Sequence, residues 1–138
     1  LVAGIDTFKE WVGGMLEGGN DFLVALLTEG IIGGVSAKSG GNIFQEGGSL
    51  TIENATIEHG ISNAATNGGG NIMVVSGGKV NIKDSTIRYG YAVANGGNLL
   101  FGRGTYNLEN VKVYGGVAAG KGANLLRTTD DPCTMTNC

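Results

Sequence analysis

The chain has 138 residues, 27 of them Gly and one of them Pro, with nine Lys and Arg against twelve Asp and Glu for a formal net charge of −3. That length bounds it to one domain or a piece of a longer protein, and a glycine excess without a Gly-x-y triplet excludes collagen. So few basic residues argue against a nucleic-acid surface, and no run of about 18 apolar residues is present to cross a membrane as a helix.

Residues 1–39 admit two readings. Thr7-Phe8-Lys9-Glu10 has the form of a capping box, with Phe8, Val12, Met15 and Leu16 at helical spacing, and Asp21 would cap a second short helix over 22–29. That is a short helical N-terminal cap. Alternatively, Gly18-Gly19-Asn20 and Gly33-Gly34-Val35-Ser36-Ala37 are early copies of motifs found later in the chain. The glycine pairs weaken a helix and favour degenerate coils, with Trp11 in the core or sealing an end. Leu1 in place of Met fits a processed or partial chain, and no stretch reads as a signal peptide.

Residues 40–127 carry a repeat. Gly-Gly-Asn-Ile-Phe (40–44), Gly-Gly-Asn-Ile-Met (69–73), Gly-Gly-Asn-Leu-Leu (96–100) and Gly-Ala-Asn-Leu-Leu (122–126) place Asn42, Asn71, Asn98 and Asn124 at intervals of 29, 27 and 26 residues. Such a period with internal strands predicts a β-solenoid. Aligned on the Asn, Leu50, Val80 and Tyr106 share a column, as do Ile52, Ile82 and Leu108, and Ile57, Ile87 and Val113. Polar residues alternate with them, so each coil contributes half-buried strands to a shared core. The Asn column, extended by Asn20, predicts an amide ladder of the kind that stacked Asn forms in cross-β structures. The outward columns Glu53/Lys83/Glu109 and Glu58/Arg88 alternate in sign and set register. Asp84 shares a turn column with Asn54 and Asn110. The segments 61–68, 91–95 and 117–121 vary most in length, and such insertions mark either a partner-facing edge or tolerated loop drift.

Beyond Thr128 the pattern is lost, and residues 128–138 read as a tail that tethers or caps the rod. Cys133 and Cys138 lie in it and pair with each other in an oxidising compartment, or bond to another segment or chain. Asp130 and Asp131 are too few oxygens for a calcium loop. His59 has no nucleophile and acid to work with and reads as a surface turn residue. Asn54-Ala55-Thr56 is an N-glycosylation acceptor triplet in a secreted eukaryotic setting. No catalytic, cofactor-binding or metal-binding set emerges, and the outward columns show no aromatic stripe.

The Gly-Gly-Asn-Ile units with Leu-Thr-Ile-Glu-Asn-Ala-Thr-Ile and Val-Asn-Ile-Lys-Asp-Ser-Thr-Ile resemble right-handed parallel β-helix repeat proteins of the pectate-lyase-like superfamily. Within it they are similar to cell-surface repeats of the polymorphic-outer-membrane-protein type, with Asn where that group has Ala in most copies. The resemblance implies an all-β, right-handed parallel β-helix, here of about five coils in a single domain over 1–138. It carries over no catalytic residue.

The expected function is a non-catalytic extracellular structural or adhesive module, secreted or on a cell surface. Its partners are expected to be further copies stacked end to end, the continuation of a longer solenoid, or other extracellular surface proteins or glycans. The alternative is a carbohydrate-binding or polysaccharide-cleaving domain.

Overall fold

The computed structural model describes residues 24–27, 30–36 and 40–138, which form a parallel β-solenoid of about four turns with no helix among them. Asn20, Trp11 and the helical alternative over residues 7–16 lie outside the described residues. The chain runs through β1 (Val24–Leu27), β2 (Gly30–Ile32), β3 (Val35–Ser36), β4 (Ile43–Glu46), β5 (Ser49–Glu53), β6 (Thr56–Glu58) and β7 (Ile61–Ser62). It continues through β8 (Ile72–Val75), β9 (Gly78–Arg88), β10 (Tyr91–Ala92), β11 (Leu99–Phe101), β12 (Gly104–Tyr114), β13 (Val117–Ala118), β14 (Leu125–Arg127) and β15 (Cys133–Thr136). Strand at Val24–Leu27 rules out the expected alternative of a helix over 22–29.

Every pairing is parallel and joins one turn to the next. One sheet stacks β4, β8, β11 and β14; a long sheet stacks β1 and β2, β5 and β6, β9, β12 and β15; a short sheet stacks β3, β7, β10 and β13. The expected apolar columns are rungs of these sheets. Leu50, Val80 and Tyr106 pair in register, as do Ile52, Ile82 and Leu108, and Ile43, Ile72, Leu99 and Leu125. Ile43, Ile52, Ile57, Ile72, Ile87, Leu99 and Leu108 are wholly buried. Each such side chain contributes roughly 1.5–3 kcal/mol relative to exposure. Larger residues fill the later turns, where Tyr106 stacks on Phe101 with ring centroids 4.0 Å apart and its hydroxyl donates to the Gly102 carbonyl at 2.7 Å. Burial pushes that phenol well above its ordinary range.

The long sheet bends at one column. Asn54, Asp84, Asn110 and Asn137 all have φ between 49° and 54°. Asn and Asp tolerate this left-handed conformation better than other residues with a Cβ. Their side chains also form a ladder, with Asn110 Nδ2 donating to Asp84 Oδ1 at 2.7 Å and Asn137 Nδ2 donating to Asn110 Oδ1 at 3.1 Å.

Asn137 corrects the reading of residues 128–138 as a tail outside the repeat. β15 continues the long sheet, pairing Cys133 with Tyr106 and Met135 with Leu108, so the segment is part of a further coil. Between the rungs of Arg127 and Cys133 the chain has the five residues 128–132, as it has the five residues 75–79 between the matching Val74 and Val80. The register of Cys133-Thr-Met-Thr-Asn137 against Leu50-Thr-Ile-Glu-Asn54 is hidden by composition, since 128–132 has no glycine and Cys133 and Met135 stand in the aliphatic columns. Pro132 sits just before the strand, where it removes no ladder donor.

The expected Cys133–Cys138 bridge is also corrected, because both thiols are free. Cys133 opens a strand that runs extended to Thr136, roughly 10 Å at strand rise, and Cys138 lies beyond the bend at Asn137, its Sγ against the Leu108 carbonyl of the preceding turn. Alkylation without reductant should therefore label both cysteines, Cys138 faster than the half-buried Cys133. An intact mass carrying two adducts checks it.

The predicted ladder is present at Asn42, Asn71, Asn98 and Asn124. Asn42 Nδ2 donates to Asn71 Oδ1 at 2.7 Å, Asn71 Nδ2 to Asn98 Oδ1 at 2.7 Å and Asn98 Nδ2 to Asn124 Oδ1 at 3.0 Å. The first three of these residues are fully buried. Asn71→Ala is expected to lower stability by about 1–3 kcal/mol, since buried partners on two turns lose their bonds. Asn124→Ala, at an exposed position, should cost clearly less; urea denaturation of the two variants against the parent chain measures the difference.

Candidate contact face

The ladder positions one face of the solenoid. Each ladder oxygen also accepts a main-chain N–H from a corner glycine: Gly34 to Asn42 at 2.7 Å, Gly60 to Asn71 at 2.9 Å, Gly90 to Asn98 at 2.8 Å and Gly116 to Asn124 at 2.9 Å. The amide nitrogens of Asn42, Asn71 and Asn98 donate to the carbonyls of Glu58, Arg88 and Tyr114 at 2.9–3.0 Å. The asparagines thus fill the inside of the corner between the long and short sheets. A Cβ at Gly60 would run into the Gly70 carbonyl and both neighbouring ladder amides, so glycine is required there.

That crowded interior leaves room for only a small inward side chain just past the corner. Ser62 and Ala92 occupy it, both buried, in register with Ser36 and Ala118. Alternation then sends the preceding residue outward, and in every turn that residue is apolar: Val35, Ile61, Tyr91 and Val117. They are 51, 36, 42 and 54 % exposed. Val93 stands beside this column, and Tyr89 and Tyr114 border it at the corner. Among the described residues, every strongly exposed large apolar side chain except Met135 lies on this face or at the corner that borders it.

Little charge stands on it. Residues 59–70 and 89–101 contain no Asp, Glu, Lys or Arg, and in the last turn the exposed Lys121 stands at the rim, its N–H bonded to Asn95 Oδ1. The outward positions of the long sheet carry Glu53, Lys79, Lys83, Glu109 and Lys112, with Lys83 4.0 Å from Glu109.

The corner joins the two regions. Arg88 Nε donates to Glu58 Oε2 at 2.5 Å and its Nη1 to the Tyr114 hydroxyl at 3.0 Å, while its guanidinium lies 5.4 Å from the Tyr89 ring centroid. These bonds, Tyr114 first and Glu58 next, raise the Arg88 pKa further above its ordinary value. Tyr89 packs between His59, at 5.2 Å, and the edge of Tyr114, at 5.5 Å. The expected absence of an outward aromatic stripe is therefore corrected. It arises because Tyr114 of one turn and Tyr89 of another meet across Gly115, whose missing side chain admits the Tyr89 ring.

His59 and Tyr89 have φ of 56° and 55°. A left-handed backbone costs residues other than Gly, Asn and Asp roughly 1–2 kcal/mol, so bulky rings at this turn are a strained choice. His59 is exposed as expected. Asn54 is exposed at its turn, 30 residues before the equivalent Asp84 and outside the side-chain ladder formed by Asp84, Asn110 and Asn137.

At the C-terminal edge, Val111, Val113, Asn124, Leu125, Met135, Asn137 and Cys138 line an open depression of about 440 Å³. Asp131 Oδ2 accepts the Gly104 N–H at 2.9 Å, and Arg127 Nη2 donates to the carbonyls of Thr129 and Asp131 at 3.1 and 2.7 Å. Asp131 is thus committed to joining the last turn to the one before. No cluster of three or more metal-ligating side chains occurs among the described residues, nor does any helix long and apolar enough to cross a membrane.

No family model, no curated protein and no solved structure matches this chain. The fold and its faces are thus the whole basis for a functional reading.

The Gly104 N–H, then Thr129, hold the Asp131 carboxyl below the usual carboxylate range, with the charges of Arg103 and Arg127 adding to the effect. Folding lowers this pKa, so its stabilising contribution is present above the unfolded value of about 3.9 and is lost as pH falls through the folded value. Urea midpoints measured from neutral pH to below pH 3 should fall more steeply for the parent chain than for Asp131→Asn.

Proposed function

We propose that this chain is a non-catalytic structural or adhesive module of an extracellular or cell-surface assembly, built as a right-handed parallel β-helix of the pectate-lyase-like kind. The observation that carries this reading is the apolar face on which Val35, Ile61, Tyr91 and Val117 project in register from successive turns. A contiguous exposed apolar strip bordered by polar surface marks an interaction site. The repeat makes the strip a line that lengthens with every added turn.

Extension along the axis fits the same role. At the far edge β13, β14 and β15 each pair on one side only, and the exposed Asn124 stands beside the apolar depression. A further coil carrying Asn and an aliphatic residue in register would complete both the ladder and the core, whichever chain supplies it.

A second reading is favoured by the corner. Glu58 and Arg88 are locked together beside His59, Tyr89 and Tyr114, a grouping of acid, guanidinium and aromatic rings suited to a glycan. Tyr89→Ala would then abolish retention of the chain on immobilised polysaccharide, whereas the adhesive reading needs no such retention.

Two measurements test the main proposal. Antibody raised against the chain should label intact, unpermeabilised cells of its source or their secreted matrix. The purified chain should co-sediment with those cells, and the double variant Ile61→Lys, Tyr91→Lys should lose most of that binding while keeping its β-sheet circular-dichroism spectrum. Labelling only after permeabilisation would overturn the location, and undiminished binding by the variant would overturn the role of the face.

A further inference from the structure

The partner for this face can be narrowed by its chemistry. Resting on the contact-face reading above, we infer that the short-sheet face binds the same face of a second copy of this chain, with the two solenoid axes antiparallel.

Three observations carry it. The first is charge. The outward column and its strands carry no Asp, Glu, Lys or Arg over 59–70 and 89–101, and Lys121 stands only at the rim of the last turn beside Asn95, so a partner gains little from opposite charge and is penalised for burying its own. A second copy brings an equally uncharged surface.

The second is spacing. The outward residues stand on adjacent parallel strands, about 4.8 Å apart, and a second copy carries projections and gaps at that same interval.

The third is the order of sizes along the line: Val35, Ile61, Tyr91, Val117. Consider a two-fold axis in the plane of contact, crossing the line between the Ile61 and Tyr91 rungs. It sets Tyr91 against Ile61 of the partner and Val35 against Val117 of the partner. Each large ring then meets a smaller aliphatic group and the outer valines meet each other. Parallel axes would place Tyr91 on Tyr91 and hold the flanking valines apart. The contact is isologous and closes at two copies. Val93 beside the line and Tyr89 at the corner extend the covered surface.

The extent of the face sets the strength. Four rungs span roughly 15–20 Å, which buries less than the 1,200 Å² or so of a standard stable interface. The dimer is therefore weak and reversible for this chain, and each further turn bearing the same outward apolar residue would tighten it.

Sedimentation velocity of the 138-residue chain over a wide concentration range, with the cell co-sedimentation assay run in parallel, tests the inference. The expected result is a reversible monomer–dimer equilibrium. Tyr91→Lys and Ile61→Lys, each at an exposed site, should raise its dissociation constant at least about tenfold, the loss of one central contact. Asn107→Lys, on the outward side of the long sheet, should leave it unchanged. The urea midpoint of each variant shows that it folds.

Orientation is read by cross-linking. In a Cys133→Ser, Cys138→Ser background, a mixture of Val35→Cys chains and Val117→Cys chains should be joined into a mixed covalent dimer by a bis-maleimide that spans the roughly 10 Å between packed sheets, whereas Val35→Cys chains alone should be joined poorly. Efficient cross-linking of Val35→Cys chains alone overturns the antiparallel arrangement.

A chain that stays monomeric at every concentration, yet binds cells through Tyr91 and Ile61, overturns the self-association and leaves the contact-face reading standing. A dimer indifferent to both lysine variants overturns the self-association at this face. A monomer whose cell binding is also indifferent to them overturns both.

Discussion

The structure depends on a buried carboxamide repeated once per turn. An amide side chain has two donors and an acceptor oxygen with two lone pairs, and Asn71 uses all of them. Its oxygen accepts from Asn42 and the Gly60 N–H, and its nitrogen donates to Asn98 and the Arg88 carbonyl. Leaving such a group unpaired in the interior would cost more than each bond contributes. The ladder therefore acts as a register lock. A turn that slipped by one residue would strand the amide and also turn every aliphatic side chain of that strand outward.

The rest of the cross-section follows from that filled corner. Because the amides occupy the inside of the bend, glycine must stand next to them, as Gly60 and Gly90 do. Because little space remains, the following inward residue is Ser or Ala. Because the strand alternates, the larger residue between them points to water. The apolar outward column is thus geometrically continuous with the polar inward one. Val, Ile and Tyr stacked on adjacent rungs support one another across the strands, and their outward exposure in all four described rungs is what the proposed contact surface rests on.

Polar side chains outside the core work in the same columnar way. Asn95 repeats the amide logic on the surface, its nitrogen donating to Thr66 and Asn67 and its oxygen accepting the Lys121 N–H. Asp84, Asn110 and Asn137 do so at the bend of the long sheet. Arg88 ties three turns through Glu58, Tyr89 and Tyr114. Lateral order is kept at these corners by side chains bonding to their counterparts one turn away, and the ion pairs Glu58–Arg88 and Lys83–Glu109 do the same along the long sheet.

The amino-acid sequence alone determined the solenoid, its turn length and the inner columns, because an in-register parallel stack forces the same chemistry to recur at the same place. Asn42, Asn71, Asn98 and Asn124, with the aliphatic residue after each, could be read by spacing. The coil hidden in 128–138 could not be read so simply, since 128–132 carries none of the turn glycines of the other coils and Cys133 and Met135 replace Leu and Ile. The signal was Asn137, aligned with Asn54, Asp84 and Asn110. The contact face was legible only in part. The segments beginning at Ile61, Tyr91 and Val117 stood out by variable length, which is a property of loops, and the two-residue strands that open them carry too short an alternation to be read by period. What tertiary structure decided was which side of that strand faces out and what meets across the turns. Exposure depends on the space left beside the buried amides, and the Tyr89–Tyr114 contact depends on the missing Gly115 side chain. Neither is encoded at a fixed spacing, because both depend on atoms that belong to other turns.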